Sequence, residues 1–432
     1  MQYADALQYL DEHTNFETSG RLISPSLERI ERLMAVMGDP QHTYPVVHLT
    51  GTNGKGSTAA MISALLAEQG LSVGTYTSPH LERINERIMR NGIPIEDQDF
   101  ADMIAAVADL EALAGVRPSY FEAVTAAAFR WFSDVAVDVA VVEVGLLGRW
   151  DATNVVTAQV AVVTNIGLDH TDLAGPTLEH IAREKAGIIK PTSVVVLGET
   201  RPELDPIFVE AGGVALYRRG RDFGCTANDL ALGGRLLDIK TPLATYPEVF
   251  LSLNGAHQGD NAALAVAAAE AFFDAPLDPE IVAAALGTMT MPGRFEVLGH
   301  QPLVIVDGAH NPAGADVCAT ALEDDFEPAG DRIYVLGFLR GHGNPADMLN
   351  ALGAGEARLV VCCTPPSDRG IPAEEVLAIA QSLGCEAVAH DDVVQACDRA
   401  LDEAGADDAI LVAGSLYVVG AARPHLLQRL AR

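Results

Sequence analysis

The chain has 432 residues, 49% of them hydrophobic, and a net charge of −31 from 59 acidic and 28 basic residues. This length exceeds what one hydrophobic core usually organises, so two domains are expected and a disordered chain is excluded. The acidic excess argues against a nucleic-acid-binding protein, because phosphate backbones require a basic face. No apolar run reaches the roughly 18 to 20 residues that span a bilayer. The N-terminus lacks a basic and then apolar leader, so a cytoplasmic protein without membrane contact is expected.

The six cysteines show no spacing typical of a metal site. In a chain of this size they are expected to be small buried apolar residues rather than disulfide partners. They are Cys225, Cys318, Cys362, Cys363, Cys385 and Cys397.

Apolar strands alternate with helical patterns through the first 200 residues. The strands are predicted near 45–49, 72–76, 138–144, 158–164 and 193–197, and the helices near 100–113, 121–132 and 178–187. Short apolar strands separated by helices are typical of an α/β fold with a doubly wound, mainly parallel sheet.

Residues 220–253 change to short β-like pieces with Gly-Gly and Pro punctuation, which predicts a small antiparallel sheet appended to the first domain. An Ala-rich helix is expected at 261–273. After a linker near 291–294, strands near 303–306, 333–336, 359–363 and 409–412 predict a smaller, Rossmann-like α/β domain. We therefore expect domains at 1–292 and 293–432.

A Gly-rich segment between the first strand and a helical pattern predicts a phosphate-binding cradle. Its residues are Thr52, Asn53, Gly54, Lys55, Gly56 and Ser57. Glycines allow close approach to an anion, the helix N-terminus presents free N–H groups, and Lys55 supplies a positive charge. The match to the standard pattern is imperfect, because Leu49 stands where a glycine is usual and Gly56 separates Lys55 from the hydroxyl residues.

Other polar residues follow predicted strands. Glu143 ends one strand, Asp169 and His170 follow the next, and Asp307 ends the first strand of the second domain. Ligands of α/β sheets bind at the carboxyl ends of strands, so these residues are candidates for a site. Taken singly, an Asp-Gly pair is usually a turn, and a lone histidine is more often a satisfied polar residue or a hydrogen-bonding strand cap.

Eight motifs in order resemble the folylpolyglutamate synthase and dihydrofolate synthase family, within the superfamily of Mur-type ATP-dependent amide ligases. They are TGTNGKGS at 50–57, TSPHL at 77–81, GRWDATN at 148–154, NIGLDH at 165–170, REKAGI at 183–188, GAHQ at 255–258, PGR at 292–294 and DGAHN at 307–311. The resemblance covers nearly the whole chain.

The resemblance implies binding of ATP and two Mg²⁺ ions. Nucleotide contacts are expected from the cradle, Asn261, Arg294 and Asp307. The implied metal ligands are Ser57, Ser78, Glu143, His170 and Lys185. Mg²⁺ favours hard oxygen ligands beside phosphate oxygens and waters, which suits the hydroxyl and carboxylate members.

Lys185 requires a modification for that role. The resemblance implies that it is carbamylated, which turns an ammonium into a carboxylate-like ligand; otherwise a solvated, loosely paired lysine is expected on this helix. The catalytic residues implied are Lys185, His170, Asp307 and His310.

The resemblance also implies the substrates: dihydropteroate or folates, L-glutamate and ATP, handled by a monomer. Residues of the substrate side are Ser78, Pro79, His80, Asp151, His310 and Ser415. A substrate carboxylate attacks the γ-phosphate to form an acyl phosphate, and the amine of glutamate then displaces phosphate. Closure of two domains would keep water from this intermediate.

Two departures from the family pattern concern residues 337–344, where Arg340 is a candidate to replace a missing charge, and Trp150, which stands where a smaller residue is usual. The alternatives are folylpolyglutamate synthase activity without dihydrofolate synthase activity, and a non-catalytic nucleotide-binding scaffold. A peptidoglycan-precursor ligase is not expected, because such enzymes usually carry a whole extra domain before the cradle and this sequence has no room for it there. A nucleotide-dependent switch is not expected either, because the sequence has no guanine-reading element after a strand.

Overall fold

The computed structural model describes residues 1–19, 26–169, 171–341 and 343–431, which form two compact units. The first unit comprises Met1–Asp229, Leu236–Leu251 and Gln258–Met289, and the second comprises Leu230–Arg235, Ser252–His257 and Thr290–Arg432. Within the described ranges, no helix combines the length and apolarity needed to cross a membrane.

The first unit contains an eight-stranded sheet. Its strands are β1 (Val46–Thr50), β2 (Val73–Tyr76), β3 (Ile88–Arg90), β4 (Ile93–Pro94), β5 (Val139–Glu143), β6 (Val160–Val163), β7 (Val194–Leu197) and β8 (Ala215–Arg218). Their order is β4-β3-β2-β5-β1-β6-β7-β8. Strands β2 and β5 to β8 pair in parallel with β1 and one another, whereas β3 and β4 form an antiparallel edge.

Helices cover both faces of this sheet, so its central strands are apolar along their whole length and β1 and β5 are buried at every position. The helices are α1 (Tyr3–Asp11), α2 (Phe16–Ser19), α3 (Glu28–Val36), α4 (Lys55–Glu68), α5 (Asp97–Ala114), α6 (Tyr120–Asp134), α7 (Thr171–Ala174), α8 (Leu178–Ala186), α9 (Asp205–Ala211), α10 (His257–Phe273) and α11 (Pro279–Gly287).

A small three-stranded antiparallel sheet follows, formed by β9 (Gly224–Ala231), β10 (Gly234–Lys240) and β11 (Thr245–Leu251). The predicted appended sheet is therefore confirmed. Two short segments cluster with the second unit: Leu230–Arg235, which contains the β9–β10 turn, and Ser252–His257, which follows β11.

The second unit contains a six-stranded sheet ordered β12-β13-β17-β14-β15-β16, in which β12 is antiparallel and the rest are parallel. The strands are β12 (Glu296–His300), β13 (Leu303–Val306), β14 (Arg332–Leu336), β15 (Leu359–Cys363), β16 (Ala387–His390) and β17 (Ala409–Ala413). The helices are α12 (Pro312–Phe326), α13 (Pro345–Ala351), α14 (Ala373–Ser382), α15 (Val393–Glu403) and α16 (Leu416–Leu430). The predicted fold class is confirmed.

None of the six cysteines, all of them among the described residues, forms a disulfide, and all except the half-buried Cys225 are buried. Burial raises the pKa of the Cys362 and Cys397 thiols to about 12, which keeps them protonated and unreactive. The prediction that the cysteines are small buried residues is confirmed for five of them, whereas Cys225 is only partly buried.

Candidate active site

The strand order of the first unit brings four loops to one edge of the sheet. Strands β2, β5, β1 and β6 are consecutive neighbours, and all four run in the same direction. The residues that follow them, among them Ser78, Val144, Gly51 and Thr164, therefore lie at the same carboxyl edge. The cradle, Glu143 and the residues after β6 are gathered there, as the sequence predicted.

The cradle joins β1 to the N-terminus of α4. Gly54 occupies the N-cap with φ of +80°, a left-handed conformation that glycine adopts without steric cost. The Lys55 Nζ folds back over the loop and donates to the carbonyl oxygens of Gly51 and Thr52 over 3.1 and 3.3 Å. The loop has the form of a phosphate cradle, with a cation held above it.

The end of β6 fixes the other side of the cradle. The Thr164 hydroxyl donates to the Asn53 carbonyl over 2.6 Å, and the Asn53 N–H donates to Asn165 Oδ1 over 2.9 Å. A Cβ on Gly51 would lie 1.8 Å from Thr164 Oγ1, so only glycine allows this approach. Sequence reasoning did not single out Thr164, which reads as an ordinary strand residue.

Asn261, predicted as a nucleotide contact, lies against the cradle. A Cβ on Gly54 would stand 2.7 Å from Asn261 Oδ1, and the Asn261 amide donates to Gln258 Oε1 over 3.0 Å. Helix α10 thus brings a polar side chain beside the cradle, although the two segments are far apart in the sequence.

Glu143 lies beside the first turn of α4. Its side chain is 4% exposed, and its Oε2 accepts a hydrogen bond from the Ser78 N–H over 3.3 Å. A Cβ on Gly56 would lie 3.7 Å from the same oxygen. Glu143, the backbone of Ser78 and the start of α4 with Ser57 therefore belong to one site.

No group of three or more His, Cys, Asp or Glu residues that could hold a metal ion occurs in the described part of the chain. His170, a predicted ligand and catalytic residue, lies outside the described residues. Mg²⁺ bound to a nucleotide needs few protein ligands, since phosphate oxygens and waters supply the rest.

Lys185 is buried rather than solvated. Only 5% of it is exposed, and its Nζ donates to the Gly51 carbonyl oxygen over 2.6 Å. Burial lowers the pKa of Lys185 to about 7, with a further lowering from Lys55, against the opposing effect of Asp169 and Asp151. The expectation of a loosely paired surface lysine is wrong for this residue, because α8 turns it into the cradle.

Asp151 begins the short 3-10 helix Ala152–Val155 and is buried. Its Oδ1 accepts from the Thr153 N–H and hydroxyl over 3.0 and 2.5 Å, and its Oδ2 accepts from the Leu146 N–H over 2.8 Å. Burial raises the pKa of Asp151 despite these donors. The neighbouring Trp150 is half exposed.

His80 belongs to a network that the sequence did not reveal. The Arg87 Nε donates to His80 Nδ1 over 2.9 Å, and the same guanidinium binds both Glu17 oxygens over 2.8 and 2.6 Å. Burial, then Arg87, lowers the pKa of His80 to about 4. An arginine between Ile84 and Ile88 was the available signal, because a charge inside an apolar segment needs a partner. Pro79, before His80, is exposed and follows Ser78 through a cis peptide bond.

In the second unit, Asp307 and Arg294 lie together. The Asp307 carboxylate accepts from the N–H groups of Phe295 and Ala309 over 2.7 and 2.8 Å. Burial raises the pKa of Asp307, and Arg294 opposes that rise. A Cβ on Gly308 would be 3.0 Å from Arg294 Nη1, so the guanidinium packs closely on this loop.

His310 and Ser415 also follow strands of this unit. The His310 Nδ1 donates to the Gly308 carbonyl over 2.9 Å. Ser415 is buried, and its hydroxyl caps α16 by accepting from the Val418 N–H over 3.2 Å. Arg340 binds Glu375 on the surface over 2.7 Å.

Comparison with known proteins agrees with this geometry. Residues 49–269 match the Mur ligase middle domain, and residues 293–416 match the Mur ligase glutamate ligase domain. Fold and site thus define a Mur-type ligase. The dihydrofolate synthase/folylpolyglutamate synthase of Mycobacterium tuberculosis is 37% identical over 93% of this chain and 90% of its own length. This chain belongs to the folylpolyglutamate synthase/dihydrofolate synthase family.

Another relative is the probable bifunctional folylpolyglutamate synthase/dihydropteroate synthase of Haloferax volcanii, 36% identical over 98% of this chain. The chain spans 50% of that relative's length.

Solved structures show the same likeness. Mycobacterium tuberculosis folylpolyglutamate synthase complexed with ADP has a TM-score of 0.91 at 36% identity, covering 98% of each chain. Escherichia coli FolC in complex with DHPP and ADP has a TM-score of 0.88 at 31% identity, covering 100% of this chain and 98% of that one. The Yersinia pestis bifunctional folylpolyglutamate synthase/dihydrofolate synthase complexed with AMPPNP and Mn has a TM-score of 0.85 at 31% identity, covering 100% of this chain and 98% of that one.

Proposed function

We propose that this chain is an ATP-dependent amide ligase that adds L-glutamate to dihydropteroate, to the glutamate tail of folates, or to both. The observation that carries the proposal is the convergence of Lys55, Lys185 and Glu143 on one glycine-rich loop. The names of the relatives and the ADP, DHPP and AMPPNP complexes of the neighbours support the substrates and the nucleotide.

The cradle is suited to ATP. The backbone around Gly54 and the N-terminus of α4 present N–H groups to an anion, and Lys55 lies over them. Thr52, Asn53, Gly56 and Ser57 complete the phosphate side, and Asn261 contacts the nucleotide. In the second unit, Arg294 and Asp307 are assigned to the same nucleotide.

The residues present also fit Mg²⁺. Glu143 is a buried carboxylate beside the first turn of α4, where hard oxygen donors are required. The ions would be held by Ser57, Ser78, Glu143 and His170, and by Lys185 after modification; the Mn complex of a relative supports a divalent ion. Bound there, Mg²⁺ neutralises the charge of the phosphates as an anionic nucleophile approaches.

Lys185 has the property that carbamylation requires. Because its pKa is lowered, Lys185 is a neutral amine in a fraction of the molecules. The amine nitrogen attacks the carbon of CO₂ with its lone pair, and the nitrogen then loses a proton. The product is a carbamate anion. The change converts repulsion between the buried Lys185 and the partly buried Lys55, which both bind the Gly51 carbonyl oxygen, into attraction.

The reaction has two steps. The substrate carboxylate attacks the γ-phosphate and ADP leaves, which gives an acyl phosphate; the glutamate amine then attacks the acyl carbon, loses a proton and expels phosphate. Activation must come first, because a carboxylate does not accept an amine at neutral pH. Lys55 and Arg294 offset the charge that gathers between the two anions, and positioning supplies much of the rest.

The substrate residues divide between the units. Ser78, Pro79, His80 and Asp151 are assigned to the pterin side, and Arg87 holds His80 in place. His310 and Ser415 are assigned to the glutamate side; the Ser415 hydroxyl accepts from the Val418 N–H at the start of α16 and can still donate its own proton. Lys185, His170, Asp307 and His310 are the proposed catalytic residues.

We further assign ATP binding to a domain of residues 1–292 and glutamate ligation to residues 293–432. The second assignment is supported by the match of 293–416 to a glutamate ligase domain. That the enzyme is monomeric and cytoplasmic stays a prediction from the sequence.

The test is phosphate release from ATP by the purified chain with defined acceptors. Release is expected only when L-glutamate and either dihydropteroate or tetrahydrofolate are both present. If, in the presence of L-glutamate, tetrahydrofolate supports phosphate release and dihydropteroate does not, only the chain-extending activity would remain. A chain that binds ATP but releases no phosphate with any acceptor would be a scaffold, which would contradict the proposal.

A further inference from the structure

His48 and Thr50 connect β1 to the loop that carries Asp151. They lie two residues apart, so they face the same side of the sheet. The Thr50 hydroxyl donates to the Leu147 carbonyl over 2.6 Å, and His48 Nε2 lies 2.9 Å from the Thr153 hydroxyl oxygen. The strand that leads into the cradle therefore also holds the loop after β5.

The bond from His48 continues to Asp151. The Thr153 hydroxyl lies 2.5 Å from Asp151 Oδ1, and a hydroxyl bonded to a carboxylate donates its only proton to it. The Thr153 oxygen can then only accept from His48. The Nε2 of His48 must be the donor in this chain of hydrogen bonds.

The surroundings of His48 agree with that tautomer. Its side chain is completely buried, and burial, then Lys190, lowers the pKa of His48 to about 3, so the ring is neutral with one proton. Its Nδ1 has no hydrogen-bond partner within the described residues. With the proton on Nε2, the ring makes the one hydrogen bond available to it and leaves a bare lone pair rather than an unmatched N–H at Nδ1.

We propose that His48 is a positioning residue for the pterin-type substrate: it fixes the Thr153 hydroxyl as a donor, which orients the Asp151 carboxylate. This inference rests on the proposed function, in which Asp151 faces that substrate. His48 itself touches no reacting atom. Its effect should therefore fall on recognition of the acid substrate and leave the nucleotide alone.

The experiment measures dissociation constants of the full chain for 7,8-dihydropteroate and for a non-hydrolysable ATP analogue. The variants Thr153→Val and His48→Leu each remove the chain of hydrogen bonds at one point. We expect each to weaken dihydropteroate binding about tenfold or more, as for a lost bond to a charged group. The affinity for the ATP analogue should change by no more than about twofold. The double variant should lose no more dihydropteroate affinity than either single variant.

Conservative and control variants separate positioning from packing. Thr153→Ser and His48→Gln keep a hydroxyl and an N–H donor, so they should restore most of the dihydropteroate affinity. Thr75→Val is the matched control, because the buried Thr75 hydroxyl donates to Ser63 over 2.8 Å in the same unit. It should leave both affinities unchanged.

Two results would overturn this inference but not the proposed function. They are unchanged dihydropteroate affinity in Thr153→Val, or an equal loss of affinity for dihydropteroate and for the ATP analogue. Thr153→Val decides if His48→Leu does not fold, since valine matches threonine in shape. A wild-type chain that binds the ATP analogue but neither dihydropteroate nor tetrahydrofolate would overturn the proposed function itself.

Discussion

Lys185 and Lys55 donate to the same acceptor, the carbonyl oxygen of Gly51, over 2.6 and 3.1 Å. Two ammonium groups that share one buried acceptor repel each other, which contributes to the low pKa of Lys185. A charge reversal at Lys185 would relieve this repulsion.

Lys185→Ala should abolish ligation, because it removes the group that would carry the carbamate. A small carboxylate such as acetate should restore part of the turnover, measured as glutamylated product. Lys190→Ala is the control: this lysine follows the same helix and donates to the backbone and side-chain oxygens of Asn154 over 3.1 and 2.9 Å. Acetate should not improve it. Full activity of Lys185→Ala would exclude the carbamate role.

Gly54→Ala should impair nucleotide binding as well as stability. A Cβ at Gly54 would displace Asn261, and the φ of +80° is unfavourable for alanine by about 1–2 kcal/mol. Gly70→Ala isolates the second effect, because Gly70 has φ of +91° and no heavy atom near its Cβ position. Melting temperatures should fall similarly, while only Gly54→Ala should weaken ATP-analogue binding, by about tenfold or more. Equal affinities of Gly54→Ala and Gly70→Ala for the ATP analogue would place Asn261 outside the nucleotide site.

Glu143→Gln should raise the Mg²⁺ concentration needed for half-maximal activity, by at least about tenfold. Glutamine keeps an acceptor for the Ser78 N–H but loses the charge that a divalent ion requires. The matched change is Glu270→Gln, a buried carboxylate of α10 that accepts from the Tyr246 hydroxyl over 2.6 Å. It should not alter the Mg²⁺ requirement. An unchanged requirement in Glu143→Gln would contradict the metal assignment.

His48 should make stability depend on pH in the acid range. Its pKa is about 3 in the folded chain and about 6.5 when exposed, so unfolding takes up a proton between these values. The free energy of unfolding should therefore fall as pH decreases through this range, by up to about 1.4 kcal/mol per pH unit from this group. His48→Leu should remove this contribution, whereas Thr153→Val should retain it. Identical pH profiles for wild type and His48→Leu would show that His48 is accessible to protons.

The fold was largely predictable because both sheets are built from strands buried on both faces. Such strands are continuous apolar runs, and β13 and β15 have the predicted bounds. Strands β3, β4, β8, β12 and β16, which lie at or next to the sheet edges, were not predicted, because short, partly exposed strands carry little apolar signal. The β9–β10 turn clusters with the second unit, whereas most of its two strands belong to the first. This assignment has no local sequence signal, since it depends on contacts with residues distant in the sequence.

The candidate site was predictable where a motif has a local mechanism. Gly54 and Lys55 follow from the chemistry of anion binding, and the strand order explains why Glu143 lies beside them. The burial of Lys185 was not predictable, because helix α8 carries charges around it in the sequence. The pairing of Arg87 with Glu17 and His80 joins segments whose proximity only the folded chain reveals.

An acyl-phosphate intermediate transfers one oxygen atom from the acid substrate to the released phosphate, and this transfer can be measured directly. Dihydropteroate or tetrahydrofolate labelled with oxygen-18 in the reacting carboxylate is incubated with the enzyme, ATP, Mg²⁺ and L-glutamate, and the phosphate is examined by mass spectrometry. An acyl phosphate requires that each phosphate released during ligation carries one labelled oxygen. Ligation that yields only unlabelled phosphate would contradict an acyl-phosphate intermediate.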